Sequence, residues 1–314
     1  MAGAANTERQ SAFIAEVAVG TTPATPGFTK TAFDVDQFQA NPRISEGRSL
    51  AFNGQRSSVA TNGIAVSGSG SGKLIYGEFD PFLESLFQST WSTNVLVNGT
   101  DQHTFTYEQA IPQGAGGALA YTRHRGVEAV GGSITLTAGS DASISFDFIG
   151  QGSDDATATL ITGATYADPA SVAILGSGAD IGTILMSGLT PLDCMSELSI
   201  DFGIEDKEEQ LRLSSDDACG ITRGVMIPKI VGKFYIETNF IAIYNAARAG
   251  TEFALTVPIG SVTTEKYSIS FPKCQFAMAP LETGENGPAF QSIEILPYYD
   301  SGIGGTCEIT RAVV

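Results

Sequence analysis

The strongest patterning along the chain lies between Ser69 and Trp91, where a strand-like alternation runs into a helical stripe. Lys73–Glu78 alternates with Leu74 and Tyr76 on one face and Ile75 on the other. Asp80 then offers a cap, and Pro81 fits the first helical position, where its missing N–H costs nothing. Phe82, Leu83, Leu86 and Phe87 follow at helical spacing, which predicts a helix over residues 80–90 with Trp91 just beyond it. A second strand–helix unit stands in the other half. Gly232–Glu237 echoes Gly72–Gly77, Asn239 is placed to cap a helix over residues 239–249, and Gly250 is placed to stop it. The two glycines are 232 − 72 = 160 positions apart in a chain of 314 residues, so the pattern predicts a duplicated domain.

The same reading gives the remaining elements. In the first half, strands are expected at Phe13–Val19, Thr29–Gln39, His103–Glu108, Leu119–His124, Ser133–Thr137 and Ser143–Ile149. In the second half they are expected at Glu197–Phe202, Val225–Glu237, Phe253–Val257, Lys266–Phe271, Gln275–Met278 and Ser292–Tyr298. Asn41–Ser71 and Gly203–Gly224 carry little apolar periodicity and read as long polar loops, a length that in compact domains usually marks function or disorder. The fold expected is mainly β: two tandem β-sandwich or barrel domains, each with one short helix and one long loop. The first spans residues 1–150, the second residues 184–314, and a Gly/Ala/Ser/Thr-rich connection spans 151–183.

Charge adds an asymmetry. The chain holds 34 acidic and 17 basic residues, net −17. Residues 1–150 carry 13 and 8 of them (net −5) and residues 151–314 carry 21 and 9 (net −12). So acidic a surface repels a phosphate backbone, which argues against ordinary nucleic-acid binding. Against that background the first long segment is basic, with Arg43, Arg48 and Arg56 but only Glu46, while the second holds Glu205, Asp206, Glu208 and Glu209.

Candidate chemistry is sparse. Gly68–Gly72 (GSGSG) lacks the spacing of a phosphate-binding loop and reads as a flexible loop end. His124, between Arg123 and Arg125, reads as a surface histidine in a basic turn, and no G-x-S-x-G elbow accompanies it. Residues 205–209 lack the EF-hand pattern and read as a solvated loop. Cys194, Cys219, Cys274 and Cys307 form no CxxC pair and with two histidines make no zinc motif, so reduced thiols are expected and no metal or cofactor. No signal peptide and no membrane segment is expected. Two β-rich halves without an active-site constellation point to a structural protein, not an enzyme, whose function is its own assembly.

Several stretches carry a resemblance. Ala15–Pro23, Ile44–Arg48 with Gly54–Arg56, Lys73–Trp91, Gly126–Gly150, Thr251–Phe276 and Ser292–Asp300 succeed one another as in the tail tube (major tail) proteins of phages with long, non-contractile tails, and the chain resembles that family. The resemblance implies a virion protein, assembled in the host cytoplasm, whose rings stack into a hollow tube for DNA delivery. It implies β-sheets joined between neighbours around the lumen, a helix packed outside, and a long loop reaching the next ring. Its partners would be itself, a tape-measure protein, terminator and distal tail proteins, and double-stranded DNA in passage. With a duplicated domain a homotrimer forms a pseudo-hexameric ring; without one, a homohexamer does. Arg43, Glu46, Arg48, Arg56, Glu205, Asp206, Glu208 and Glu209 are then candidates for contacts between rings. Asp147, Asp201 and Glu294 are candidates for an acidic lumen. The alternatives are another virion β protein, such as a capsid decoration protein or tail terminator, and a carbohydrate-binding β-sandwich.

Overall fold

A computed structural model describes residues 3–48, 56–170, 174–176, 180–189, 194–236, 240–278, 280–282 and 288–311. The first half contains β1 (Gln10–Ala15), β2 (Gly27–Lys30), β3 (Val35–Arg48), β4 (Arg56–Lys73), α1 (Asp80–Phe87), β5 (Val95–Val97), β6 (Phe105–Pro112), β7 (Leu119–Thr137) and β8 (Ser143–Gly150). Short strands β9 (Gly152–Ser153), β10 (Thr165–Ala167) and β11 (Leu185–Met186) lead to the second half. There follow β12 (Met195–Glu205), β13 (Glu209–Gln210), β14 (Gly220–Ile221), β15 (Val225–Tyr235), α2 (Phe240–Ala249), β16 (Phe253–Ile259), β17 (Tyr267–Met278), β18 (Leu281–Glu282), β19 (Phe290–Pro297) and β20 (Glu308–Arg311). The protein is mainly β, as its alternation predicts.

The ladders follow one scheme twice. In the first half β3 pairs with β4, β4 with β8, β8 with β7, and β7 with β6, all antiparallel. In the second half β12 pairs with β15, β15 with β19, β19 with β17, and β17 with β16. A helix follows the second strand in each half. Even the irregularities correspond. Ala129 and Gly131 face Phe148 and Asp147 across a bulge, and Phe276 and Met278 face Ile295 and Glu294 in the same way. The ladders pair Gly70 with Phe146 and Gly232 with Ile293, so the counterpart of Gly232 is Gly70. The likeness of Gly232 to Gly72 was displaced by two residues, a shift that keeps every side chain on its face.

One further ladder joins the halves. Glu197–Asp201 of β12 pair with Thr137–Ser133 of β7. The result is one sheet in the order β3-β4-β8-β7-β12-β15-β19-β17. β7 is long enough to serve two layers: residues 119–127 pair with β6 below, and residues 128–135 with β8 above. Gly126, at φ 60°, sits at the change of layer, where a Cβ would strike the Gln151 side chain. Residues 119–137 are therefore one bent strand instead of the two expected, and residues 267–278 likewise.

Asn41–Ser71 departs most from expectation. It is not a loop: its described residues form the β3–β4 hairpin. In the Gly-Ser run, Gly68 and Gly70 face the core and Ser67, Ser69 and Ser71 face outward. A Cβ on Gly68 would lie 2.4 Å from the Phe38 ring, and one on Gly70 would lie 2.6 Å from Phe33. The aromatic rings thus occupy the space that side chains of β4 would fill, and glycine admits them.

Beneath the sheet, α1 buries Phe82, Leu83, Leu86 and Phe87. Phe82 packs 4.5 Å from Phe13 and 5.4 Å from Phe105, centroid to centroid, and 5.7 Å from Phe146. Each such ring contributes on the order of 1.5–3 kcal/mol by burial. The helix ends at Phe87, three residues before the expected end, because Gln88 turns left-handed (φ 51°) and caps it. Asp80 is its first residue, not its cap. α2 starts at Phe240, so the expected cap Asn239 lies outside the described residues, and it buries only Ile243 and Ala246.

Candidate functional site

The exposed face of the eight-stranded sheet is composed by register. Asp147 stands opposite Gly131, two positions from Ser133, which stands opposite Asp201. Asp201 stands opposite Lys229, two positions from Val231, which stands opposite Glu294. Side chains two apart on a strand share a face, so Asp147, Asp201 and Glu294 all lie on this one face. An open depression of ≈ 700 Å³ in this face is lined by Ser133, Ser145, Ser199, Asp147, Asp201 and Lys229 together with Ile227 and Leu296. Lys229 pairs with Glu294 at 3.0 Å. The face is mixed: its acidic and hydroxyl side chains alternate with the exposed apolar residues Ile227, Val231 and Leu296.

The charged loops come together differently. Arg43 forms an ion pair with Glu209 and donates to the carbonyl of Ile64 at 3.0 Å. Arg56 pairs with Glu46 across the hairpin at 2.8 Å. The side chain of Arg48 lies outside the described residues. Glu205 ends β12 exposed to solvent, and Asp206 turns the chain at φ 59°. The Thr222 hydroxyl lies 2.7 Å from both the Glu208 amide and the Asp206 carbonyl. Of the eight charged candidates, Arg43 with Glu209 and Glu46 with Arg56 are brought together, the first pair across the two halves.

Other residues bind the halves more tightly, and their sequence pattern did not mark them as joining residues. Glu128 on β7 is buried and receives Lys207 at 3.1 Å, Arg223 at 3.0 Å and the Gln102 amide at 2.7 Å. Burial lowers the pKa of Lys207, and the charge of Glu128 opposes that shift. Arg125 reaches Asp217 at 3.0 Å, and the amides of Ile64 and Ala218 donate across the same seam to the carbonyls of Asp216 and Gln151. On the helix side, Tyr267 donates to Asp80 at 2.6 Å and receives the Gly77 amide at 2.8 Å. Arg311 also pairs with Asp80 and lies 4.4 Å over the Trp91 ring. Burial raises the pKa of Asp80, opposed by Tyr267 and Arg311. Only the run of charges around Lys207 is visible in sequence; its burial comes from a partner 79 positions away (207 − 128).

His124 is not on the surface. It is buried on β7, stacked 5.9 Å from Phe38, with neither ring nitrogen hydrogen-bonded. Burial lowers its pKa to about 4, with Asp154 opposing. Cys274 and Cys307 are buried, and desolvation holds both thiols protonated, the first with a pKa of about 12. Among the described residues no group of three or more His, Cys, Asp or Glu is placed to hold a metal ion. No described helix is long and apolar enough to cross a membrane.

The two halves thus form one sheet joined at its centre by the β7–β12 ladder, with β3 at one end pairing, among the described residues, with β4 alone. The family model described as phage tail tube protein matches residues 7–295, and the chain belongs to that family. It is a structural subunit of the tail tube and a component of the virion tail. Comparison with curated proteins gives no significant match.

Proposed function

We propose that three copies of this chain close into a ring of six similar lobes, and that the rings stack into a hollow tube through which double-stranded DNA leaves the virion. The observation that carries this reading is the repeated pairing scheme joined by the β7–β12 ladder. Each half is one lobe, the lobes are duplicated domains, and the ladder between them is the joint between neighbouring lobes. Among the described residues β3 pairs with β4 alone, and β17 beyond Cys274 pairs only with β19. Open edges of this kind are removed by pairing with a neighbour. A β3 edge of one copy on the β17 edge of the next would continue the sheet as β12 on β7 does within the chain.

The exposed sheet face then lines the lumen. Asp147, Asp201 and Glu294 outnumber Lys229 on this face, and that acidic excess repels phosphates. Contacts between rings fall to the β3–β4 hairpin, with Glu46, Arg48 and Arg56, and to the exposed Glu205, Asp206 and Glu208. Arg43 and Glu209 are spent on each other within the ring. The tube would be that of a long non-contractile tail, assembled in the host cytoplasm around a tape-measure protein and ended by terminator and distal tail proteins. Sedimentation with negative-stain electron microscopy of the assembled protein tests this reading. Hollow stacked rings are expected; a monomer or a closed small oligomer at every concentration would overturn it.

A further inference from the structure

The two helices have the same place in the scheme but different surroundings. α1 is covered at its first turn by the second half, where Asp80 meets Tyr267 and Arg311. Tyr267 opens β17 opposite Ile259, the last residue of β16. Among the described residues α2 has no such cover: Ile241 is 69% exposed and Tyr244 46%, with Phe240 stacked 5.8 Å from Tyr244. The counterpart of the Tyr267 end in the first half is the β6–β7 end, where Leu119 opens β7 opposite Pro112. Two large apolar side chains stand exposed there, Ile111 (39%) and Leu119 (37%). An uncovered apolar helix face and an uncovered apolar hairpin end therefore lie at the two positions that the scheme brings together.

Resting on the ring reading above, we infer that α2 of one copy docks through Ile241 and Tyr244 onto Ile111 and Leu119 at the β6–β7 end of the next copy. The partner is a second copy of this chain, placed as α1 is placed on the β16–β17 end within one chain. The two contacts are alike in position and opposite in chemistry. The contact inside the chain is polar, with Asp80 hydrogen-bonded by Tyr267 and paired with Arg311, and the contact between chains is apolar. Seating α1 on Ile111 and Leu119 would bury Asp80 without a partner, and seating α2 on Tyr267 and Arg311 would strip Arg311 of its carboxylate. The mismatch penalises like-on-like neighbours, so first and second halves must alternate around the ring. The helices thereby set the order in which chains close, which two equivalent sheet edges would not do by themselves.

The test pairs I241C with L119C in a C194S/C219S background, assembled, oxidised and run on a non-reducing gel. Linked dimers and trimers are expected from assembled tubes, and none from the dissociated chain. Tubes without cross-links would overturn the contact and leave the tube reading standing. Failure of the parent chain to form rings would remove the tube reading and the contact with it. A second variant covers a cysteine pair that does not assemble. I241E is expected to cut the assembled fraction at least tenfold while leaving circular dichroism and thermal unfolding of the single chain unchanged, since Ile241 faces solvent there. Adding L119K is expected to restore assembly. Unchanged assembly of I241E, or no rescue by L119K, would overturn the contact.

Discussion

Lys207, from the second half, lies 3.1 Å from Glu128 of the first with both side chains withdrawn from solvent, and it donates to the Ala129 carbonyl at 2.7 Å. That bond ties the segment after β12 to the bend of β7, so the joint between the halves is held by charge as well as by a ladder. Removing one partner of a buried pair leaves the other desolvated and uncompensated. Arg223 and Gln102 still reach Glu128, which sets K207M at the low end of the range, a loss of about 3 kcal/mol. The double variant K207M/E128L should recover only part of it, since it removes the carboxylate that Arg223 and Gln102 also use. Urea unfolding of the dissociated chain measures both, and a K207M loss below about 1 kcal/mol would contradict the assignment.

The buried His124 sets a pH dependence. Its pKa is about 4 in the folded chain against an ordinary 6.5, because burial disfavours the imidazolium. Between those values the unfolded chain binds a proton that the folded chain does not, so stability rises with pH over that window and falls on acidification. The full contribution is about 3 kcal/mol, present above pH ~6.5 and lost as pH falls to ~4. H124F keeps the stack on Phe38 and removes two unpartnered nitrogens. Its stability at pH 7 should equal or exceed that of the parent, and its slope over this window should be shallower. Parallel slopes in urea titrations would contradict this.

Phe38 and Phe33 need the bare backbone of β4. G68A and G70A should each destabilise the chain by about 1–3 kcal/mol, since the added Cβ overlaps a ring already packed in the core. S69A, whose side chain points to the open face, should stay within about 0.5 kcal/mol of the parent. Thermal unfolding distinguishes the three, and equal effects would contradict the assignment of faces.

How far the sequence could be read follows from these same residues. Strands with one buried face, such as Ser143–Ile149, alternate and are legible. The Gly-Ser run of β4 is not, because glycine occupies its core positions and the apolar mass comes from Phe33 and Phe38 on the preceding segment. The outer part of the β3–β4 hairpin has no alternation either, since both its faces are exposed. His124 looked solvated between two arginines, yet Arg123 and Arg125 point to one side of the strand and His124 to the other. The acidic residues of the sheet face were legible from alternation, which fixes the face opposite apolar neighbours. The ion pairs across the halves were not, because each joins positions far apart in sequence.

Reversing charge on the sheet face tests its proposed role as lumen. D147K/D201K tubes should still assemble, since both side chains are exposed, but should retain short duplex DNA at low salt. Retention should fall linearly in log K against log salt, as counterion release requires. Parent tubes should retain none. Equal retention by the two would contradict the assignment.

On the ring reading, one chain supplies two lobes of each ring. Cryo-electron microscopy of assembled tubes, with rotational symmetry determined without imposing it, tests it most directly. True threefold symmetry is predicted, with six similar lobes per ring and the β3 edge of each copy continuing onto β17 of the next. True sixfold symmetry with one chain per lobe, or rings whose sheets do not join edge to edge, would contradict it.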